Sequence, residues 1–182
     1  MKHFILFTGH MIDAKDRPQP RFPVHKEEAV KKEIVDLLLQ QKEKFSSLEG
    51  IASGACGSDI LFHEACIQLK IPAEIYLAYP AVEFKKGSVS FAGENWDNRF
   101  DKLAAILPVH VLAENKNTDL NVYEQTNEWM LHNALEPGGN NMTLIAVWDG
   151  SGGDGKGGTA HMVKMVKEKG AEVKIIDVKK IE

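Results

Sequence analysis

Short apolar runs alternate with segments of helical periodicity along the chain, and this alternation limits the possible fold more than any other feature. The apolar runs fall at residues 3–8, 48–53, 72–80, 109–113, 143–148 and 171–178. Continuous apolar runs are typical of strands buried on both faces, and helices between them join such strands in parallel. The sequence therefore predicts an α/β protein with a three-layer Rossmann-like fold, in which a mostly parallel sheet carries helices on both faces.

Length and charge narrow the class of protein. A chain of 182 residues suits one domain with a full core, so residues 1–182 are predicted to form a single domain. The formal net charge of -4 provides no basic field for nucleic acid, which is therefore not expected as a partner. No apolar run approaches the roughly 20 residues of a membrane span. With no signal-peptide layout and no CxxC pair between Cys56 and Cys66, we expect a cytoplasmic protein without membrane contact.

A glycine-rich loop follows the apolar run at residues 143–148. It contains Gly153, Gly155, Gly157 and Gly158 and ends at Thr159, where a helical pattern begins. A strand that turns through glycines into a helix N-terminus presents free N–H groups and the positive end of a helix dipole, which suits a phosphate. The spacing nearly matches a P-loop, but Gly157 stands where that motif needs Ser or Thr for magnesium. A flexible surface loop is the alternative interpretation.

Two earlier apolar runs also end in loops that contain glycine. The candidate ligand-binding residues there are Gly9, His10 and Asp13 after the first run, and Ser53, Gly54, Ala55, Cys56, Gly57 and Asp59 after the second. Since parallel strands end at one edge of a sheet, we expect these loops to meet the Gly157–Thr159 turn in a single crevice. Taken alone, each loop is also consistent with an ordinary turn, in which Asp13 closes its loop and Ser58 or Asp59 caps a helix.

The sequence selects no catalytic or metal-binding residue. Glu64 and Glu83 are the carboxylates considered for glycosyl chemistry, and nothing in the pattern favours either one. Cys56 lies near a predicted helix N-terminus, but no base can be paired with it. The histidines show no metal-ligand spacing, so no metal site is expected.

Several polar side chains on predicted helices have both a structural and a functional interpretation. Asn127 interrupts an apolar helix face, where it either satisfies buried backbone groups or contacts a ligand. Lys85, Lys86 and Arg99 flank the third predicted helix. They would either neutralise a phosphate or belong to solvated surface, as most such residues do.

Taken in order, the motifs resemble the SLOG/LOG-like Rossmannoid superfamily. The resemblance rests on residues 7–13, 21–23, 54–61, 96–100, 123–129, 146–150 and 155–159. More narrowly, the chain resembles the sensor-type domains of bacteria that often stand next to signalling modules. The superfamily also includes distant relatives of the LOG phosphoribohydrolases and of the DprA-like proteins. The resemblance implies a Rossmann-like sheet that binds a nucleotide or nucleotide derivative, and it is compatible with a homodimer.

One departure from the enzymatic relatives affects the functional hypothesis. The phosphoribohydrolases carry a proline-glycine-glycine run, a glycine-threonine pair and a glutamate three residues after the threonine. Here Gly158 and Thr159 match the pair, but Met162 occupies the glutamate position and no proline precedes the glycines. We therefore expect a nucleotide-binding or sensing module, with a nucleoside monophosphate phosphoribohydrolase or related N-glycosidase as one alternative and a non-catalytic interaction domain as another.

Overall fold

Six parallel strands form one sheet within the described part of the chain. The computed structural model describes residues 2–113, 119–136, 141–152 and 157–182. The strands are β1 (His3–Gly9), β2 (Leu48–Ala52), β3 (Ala73–Leu77), β4 (Val109–Val111), β5 (Met142–Trp148) and β6 (Glu172–Asp177). Their order across the sheet is β4-β3-β2-β1-β5-β6, and every pairing is parallel. The strand order reverses between β1 and β5, which is where open α/β sheets bind ligands.

Helices cover both faces of the sheet. They are α1 (Glu27–Lys44), α2 (Ser58–Gln68), α3 (Ala81–Ser88), α4 (Glu94–Ile106), α5 (Val122–Leu135) and α6 (Thr159–Glu168). Ile5 and Phe7 of β1 face a core shared with α1, α2, α3 and α4, whereas Leu6 faces a core shared with α5 and α6. Connections between parallel strands are right-handed. A connecting helix therefore lies on one face when the chain moves across the sheet in one direction, and on the other face when it moves in the opposite direction.

The sequence places these elements well, with a few differences at their ends. The apolar run at 72–80 is strand only over Ala73–Leu77, because the chain turns after Leu77 into α3. That helix was not predicted, since few of its residues are apolar and only Phe84 and Ser88 are buried. In the described residues, no helix combines the length and apolar character that a membrane crossing needs.

Candidate functional site

A cleft of about 360 Å³ opens at the carboxyl edge of the sheet, where β1 and β5 meet. Residues at or just beyond the ends of four strands line it, namely Gly9, Ser53, Ala78 and Trp148. The remaining walls come from α3, α5 and the beginning of α6, including Phe84, Tyr123 and Thr159. The cleft therefore lies at the reversal of strand order, as expected for a ligand site in such a sheet.

A backbone connection holds the loop after β1 against the start of α2. The carbonyl of His10 accepts hydrogen bonds from the Ser58 hydroxyl at 2.7 Å and the Ser58 N–H at 3.2 Å. A Cβ on Gly9 would lie 2.2 Å from Ser58 Oγ. Gly57 has a φ of +93°, and a Cβ there would lie 2.4 Å from the backbone nitrogen of Ile12. These two glycines are required because the loops pack closely on each other.

The loop after β1 is also fixed to the loop after β5. His10 Nε2 lies 2.9 Å from Asp149 Oδ1 and 3.2 Å from the backbone nitrogen of Asp149. Burial lowers the pKa of His10 below its ordinary value. Although burial alone opposes ionisation, hydrogen bonds from Ser151 and His10 hold the pKa of the Asp149 carboxyl well below its usual range. A carboxylate and a neutral imidazole thus join the two strand ends.

The start of α6 forms one wall of the cleft. Gly157, Gly158, Thr159 and Ala160 all line it, and the N-cap residue Gly158 provides no side-chain cap. The first N–H groups of a helix have no partner within the helix, so this end suits an anion. Asn127 on α5 holds the turn by donating from Nδ2 to the Gly157 carbonyl at 2.7 Å.

Arg21 lines the cleft and was not among the predicted site residues. The Asp13 carboxylate accepts the backbone N–H groups of Arg21 and Phe22, both at 2.9 Å from Oδ2. These bonds close the loop that carries Arg21, a cationic residue that lines the cleft. Asp13 therefore closes its loop, and Arg21 supplies the positive charge there.

Asp59 also lines the cleft, although only 6% of its surface is exposed. Its Oδ2 accepts the Ala55 N–H at 3.2 Å. Burial raises the pKa of this carboxyl to about 7, and the bond from Ala55 offsets this effect only in part. Nearby, the buried His63 Nε2 lies 2.8 Å from the Ser53 carbonyl, which fixes the loop after β2.

The structure brings most of the predicted ligand residues together. The cleft is lined by Gly9, His10, Ser53, Ala55, Asp59, Gly157, Gly158 and Thr159. Asp13, Gly54, Cys56 and Gly57 do not line it. Gly54 faces Phe100 and Ile75 in the core. The Cys56 carbonyl accepts the Ile12 N–H, and Gly57 packs closely on the Ile12 backbone. Gly153 and Gly155 lie outside the described residues. Contact of any of these residues with a ligand remains a prediction.

The other candidate polar residues lie elsewhere. Glu64 pairs with Arg99 at 2.7 Å and with Lys31 at 3.2 Å, and Lys85 pairs with Asp101 at 2.9 Å. Glu83 and Lys86 are exposed on α3 and do not line the cleft. Burial raises the pKa of the Cys56 thiol to about 12, so it is no thiolate nucleophile at neutral pH.

A larger depression, of about 1090 Å³, lies between the end of β4, α5 and α6. Trp129, Leu135 and Met165 line it, and it contains none of the glycine-bearing loops. Residues 114–118, which follow Ala113 in the sequence, lie outside the described part of the chain. Size alone therefore does not make it the better candidate site.

Comparison with known proteins supports the fold. No protein-family model and no curated protein sequence matches the chain. Among solved structures, its fold is similar to that of DNA processing protein A (DprA) from Streptococcus pneumoniae, with a TM-score of 0.56 and 13% sequence identity. The similarity covers 94% of this chain and 49% of the DprA chain, so this chain spans about half of that length. The predicted Rossmann-like α/β fold is confirmed.

The same comparison contradicts one prediction. Nucleic acid was excluded as a partner because the net charge is -4, yet the fold is shared with a protein described as DNA-processing. The exclusion was wrong because net charge averages over the whole chain. Contacts to phosphates need only local donors, including backbone N–H groups and helix N-termini.

Proposed function

We propose that this chain binds a nucleotide or nucleotide-derived ligand in the cleft between the ends of β1 and β5. The observation that carries this proposal is the convergence of Gly9, Ser53 and Gly157–Thr159 on one cleft. The uncapped start of α6 and the Arg21 side chain would hold the phosphate. The resemblance to the SLOG/LOG-like superfamily agrees with this proposal.

Other residues of the cleft suit a sugar and a base. Phe84, Tyr123 and Met130 provide apolar and aromatic surface in the same cleft. Ser53 and Asn127 add polar groups for hydroxyls or for the edge of a base. Mostly apolar walls with a few fixed polar groups are typical of small-molecule sites.

Hydrolysis of the ligand is less well supported than binding. Both carboxylates considered for glycosyl chemistry lie outside the cleft, Glu64 in an ion-pair network and Glu83 on the surface of α3. Within the described residues, Asp59 is the carboxyl that lines the cleft. A binding or sensing module is therefore the function that we propose.

Thermal unfolding and calorimetric titration with AMP, ATP, NAD⁺ and a single-stranded DNA oligonucleotide test the proposal. A ligand at a hundred times its Kd stabilises a protein by about 2.7 kcal/mol. We expect Arg21→Gln to weaken binding at least about tenfold, since a hydrogen bond to a charged group contributes roughly 1.5–3 kcal/mol. Lys85→Gln is the matched control, because Lys85 pairs with Asp101 outside the cleft.

The panel also distinguishes a free nucleotide from a nucleotide unit of single-stranded DNA. DprA is described as DNA-processing. The oligonucleotide therefore tests whether the cleft of this chain binds a nucleotide unit within a DNA strand. Binding of any probe that weakens in Arg21→Gln but not in Lys85→Gln supports the cleft as the site. Failure of every probe, or equal binding by both variants, overturns the proposal.

A further inference from the structure

The surroundings of Asp59 do not match those of an ordinary ionised carboxylate. Asp59 lies in the first turn of α2 and faces the cleft, with 6% of its surface exposed. Its Oδ2 accepts one backbone N–H, from Ala55 at 3.2 Å. Within the described residues, no further hydrogen bond and no ion pair reaches this carboxyl. A negative charge on Asp59 would be buried and would be stabilised by one neutral hydrogen-bond donor, the Ala55 N–H.

In the described part of the chain, the ionisable groups around Asp59 do not neutralise a negative charge on its carboxyl. His10 and Arg21 line the same cleft from the loops after β1, and neither forms an ion pair with it. Cys56 precedes it and His63 follows one turn later on α2. Burial places the pKa of Cys56 at about 12 and that of His63 at about 4, so both are neutral near pH 7.

The helices packed around α2 contribute no cation either. Ser88 is the polar residue of α3 that faces the cleft, and Tyr123 is the ionisable residue of α5 that does so. Arg99 of α4 and Lys31 of α1 pair with Glu64, farther along α2. Since burial without a cation disfavours the charged form of a carboxyl, the pKa of Asp59 is raised to about 7.

We propose that at pH 6 Asp59 is a neutral carboxylic acid in the free protein and donates a hydrogen bond to an anionic ligand in the cleft. This inference rests on the proposed function for the ligand, whereas the state of the carboxyl can be measured in the free protein. A neutral acid accepts the Ala55 N–H through one oxygen and offers its O–H to a phosphate or another acceptor. An ionised Asp59 would instead repel that phosphate.

Calorimetric titration with AMP at pH 6, 7.5 and 9 tests the inference on the wild type, Asp59→Asn and Glu83→Gln. If the ligand needs the protonated form, roughly one molecule in a hundred is competent at pH 9, and affinity falls about a hundredfold. Asn keeps an N–H donor at every pH, so we expect the affinity of Asp59→Asn for AMP to change less than about threefold between pH 6 and pH 9. Glu83→Gln removes an exposed carboxylate outside the cleft and should follow the wild type.

The outcomes separate this inference from the proposed function. Ionisation of the AMP phosphate is common to all three proteins, so a decline that is equal in Asp59→Asn and the wild type overturns the inference. If no protein binds AMP at any pH, the AMP form of the proposed function fails. The side-chain carboxyl ¹³C resonance of Asp59 then decides the inference. It is assigned as the resonance that is missing in Asp59→Asn, and it is followed against pH in the free protein. A titration midpoint near 7 supports a neutral acid, and full ionisation at pH 5 overturns it.

Discussion

His10 Nε2 and Asp149 Oδ1 lie 2.9 Å apart, although 139 residues separate them in the chain. The contact joins the ends of β1 and β5, the two neighbouring strands at which the order of the sheet reverses. Both side chains are 6% exposed, so the pair is shielded from water. The edge of the candidate site is thus fixed by a buried polar contact, which defines the distance between two loops more strictly than apolar packing would.

Replacing Asp149 with alanine should destabilise the protein strongly. Asp149 Oδ1 accepts from the Ser151 hydroxyl and the Ser151 N–H and contacts His10, so the change leaves the buried His10 and the half-buried Ser151 without this partner. We expect the free energy of unfolding in urea to fall by about 2–3 kcal/mol. Asp36→Ala is the control, since its pair with Lys32 is exposed and should contribute little to stability. Equal losses in the two variants would refute the structural importance of Asp149.

Alanine at two glycines should have opposite effects on stability. At Gly57, a φ of +93° and a Cβ 2.4 Å from the Ile12 nitrogen predict a loss of about 3 kcal/mol or more. At Gly87, within α3, no atom lies within 4 Å of the added Cβ, and a gain of about 0.5–1 kcal/mol is expected. Thermal or urea unfolding measures both. A Gly57→Ala variant as stable as the wild type would contradict the close packing of the loops after β1 and β2.

The sequence revealed the sheet more fully than the site. Strands buried on both faces are continuous apolar runs, so β1 and β5 and their ends could be located from residue type alone. A glycine, however, marks close approach of the backbone without showing what approaches it. Gly54 faces Phe100 in the core, and Gly57 faces the backbone of Ile12, so neither lines the cleft.

The cation of the cleft could not be found from sequence for a different reason. Arg21 reaches the cleft because Asp13, eight residues earlier, accepts its backbone N–H and closes the loop between them. No periodic pattern encodes such a bond. The basic residues that the helical patterns did suggest, Lys85 and Arg99, are paired with carboxylates outside the cleft. Long-range ion pairs, which sequence does not show, decided where the positive charge lies.

The contribution of His63 to stability should be lost in mild acid. Burial lowers its pKa from 6.5 to about 4. The unfolded chain therefore takes up a proton over this range that the folded protein does not, so the contribution is complete above pH 6.5 and lost as the pH falls towards 4. We expect the contribution of His63 to the free energy of unfolding to decrease by up to about 3 kcal/mol over this window. The raised pKa of Asp59 acts in the opposite direction over the same range, so the effect of His63 is measured as a difference from a variant without the imidazole.

His63→Gln provides the control for this dependence on pH. Its amide can donate to the Ser53 carbonyl in place of Nε2 and does not titrate. Urea unfolding at several pH values should show that, from pH 6.5 to 4, the variant loses less stability than the wild type. Identical slopes would show that His63 does not carry the acid sensitivity.

Amide chemical-shift mapping with AMP tests the proposed site most directly, because it reports binding and location together. We predict the largest changes at Gly9, Ser53, Gly158 and Thr159, which line one cleft although they lie far apart in the sequence. Trp129 and Leu135, in the larger depression, should not change. Changes confined to Trp129 and Leu135, or no changes at saturating AMP, would contradict the proposal that the glycine-bearing loops form the ligand site.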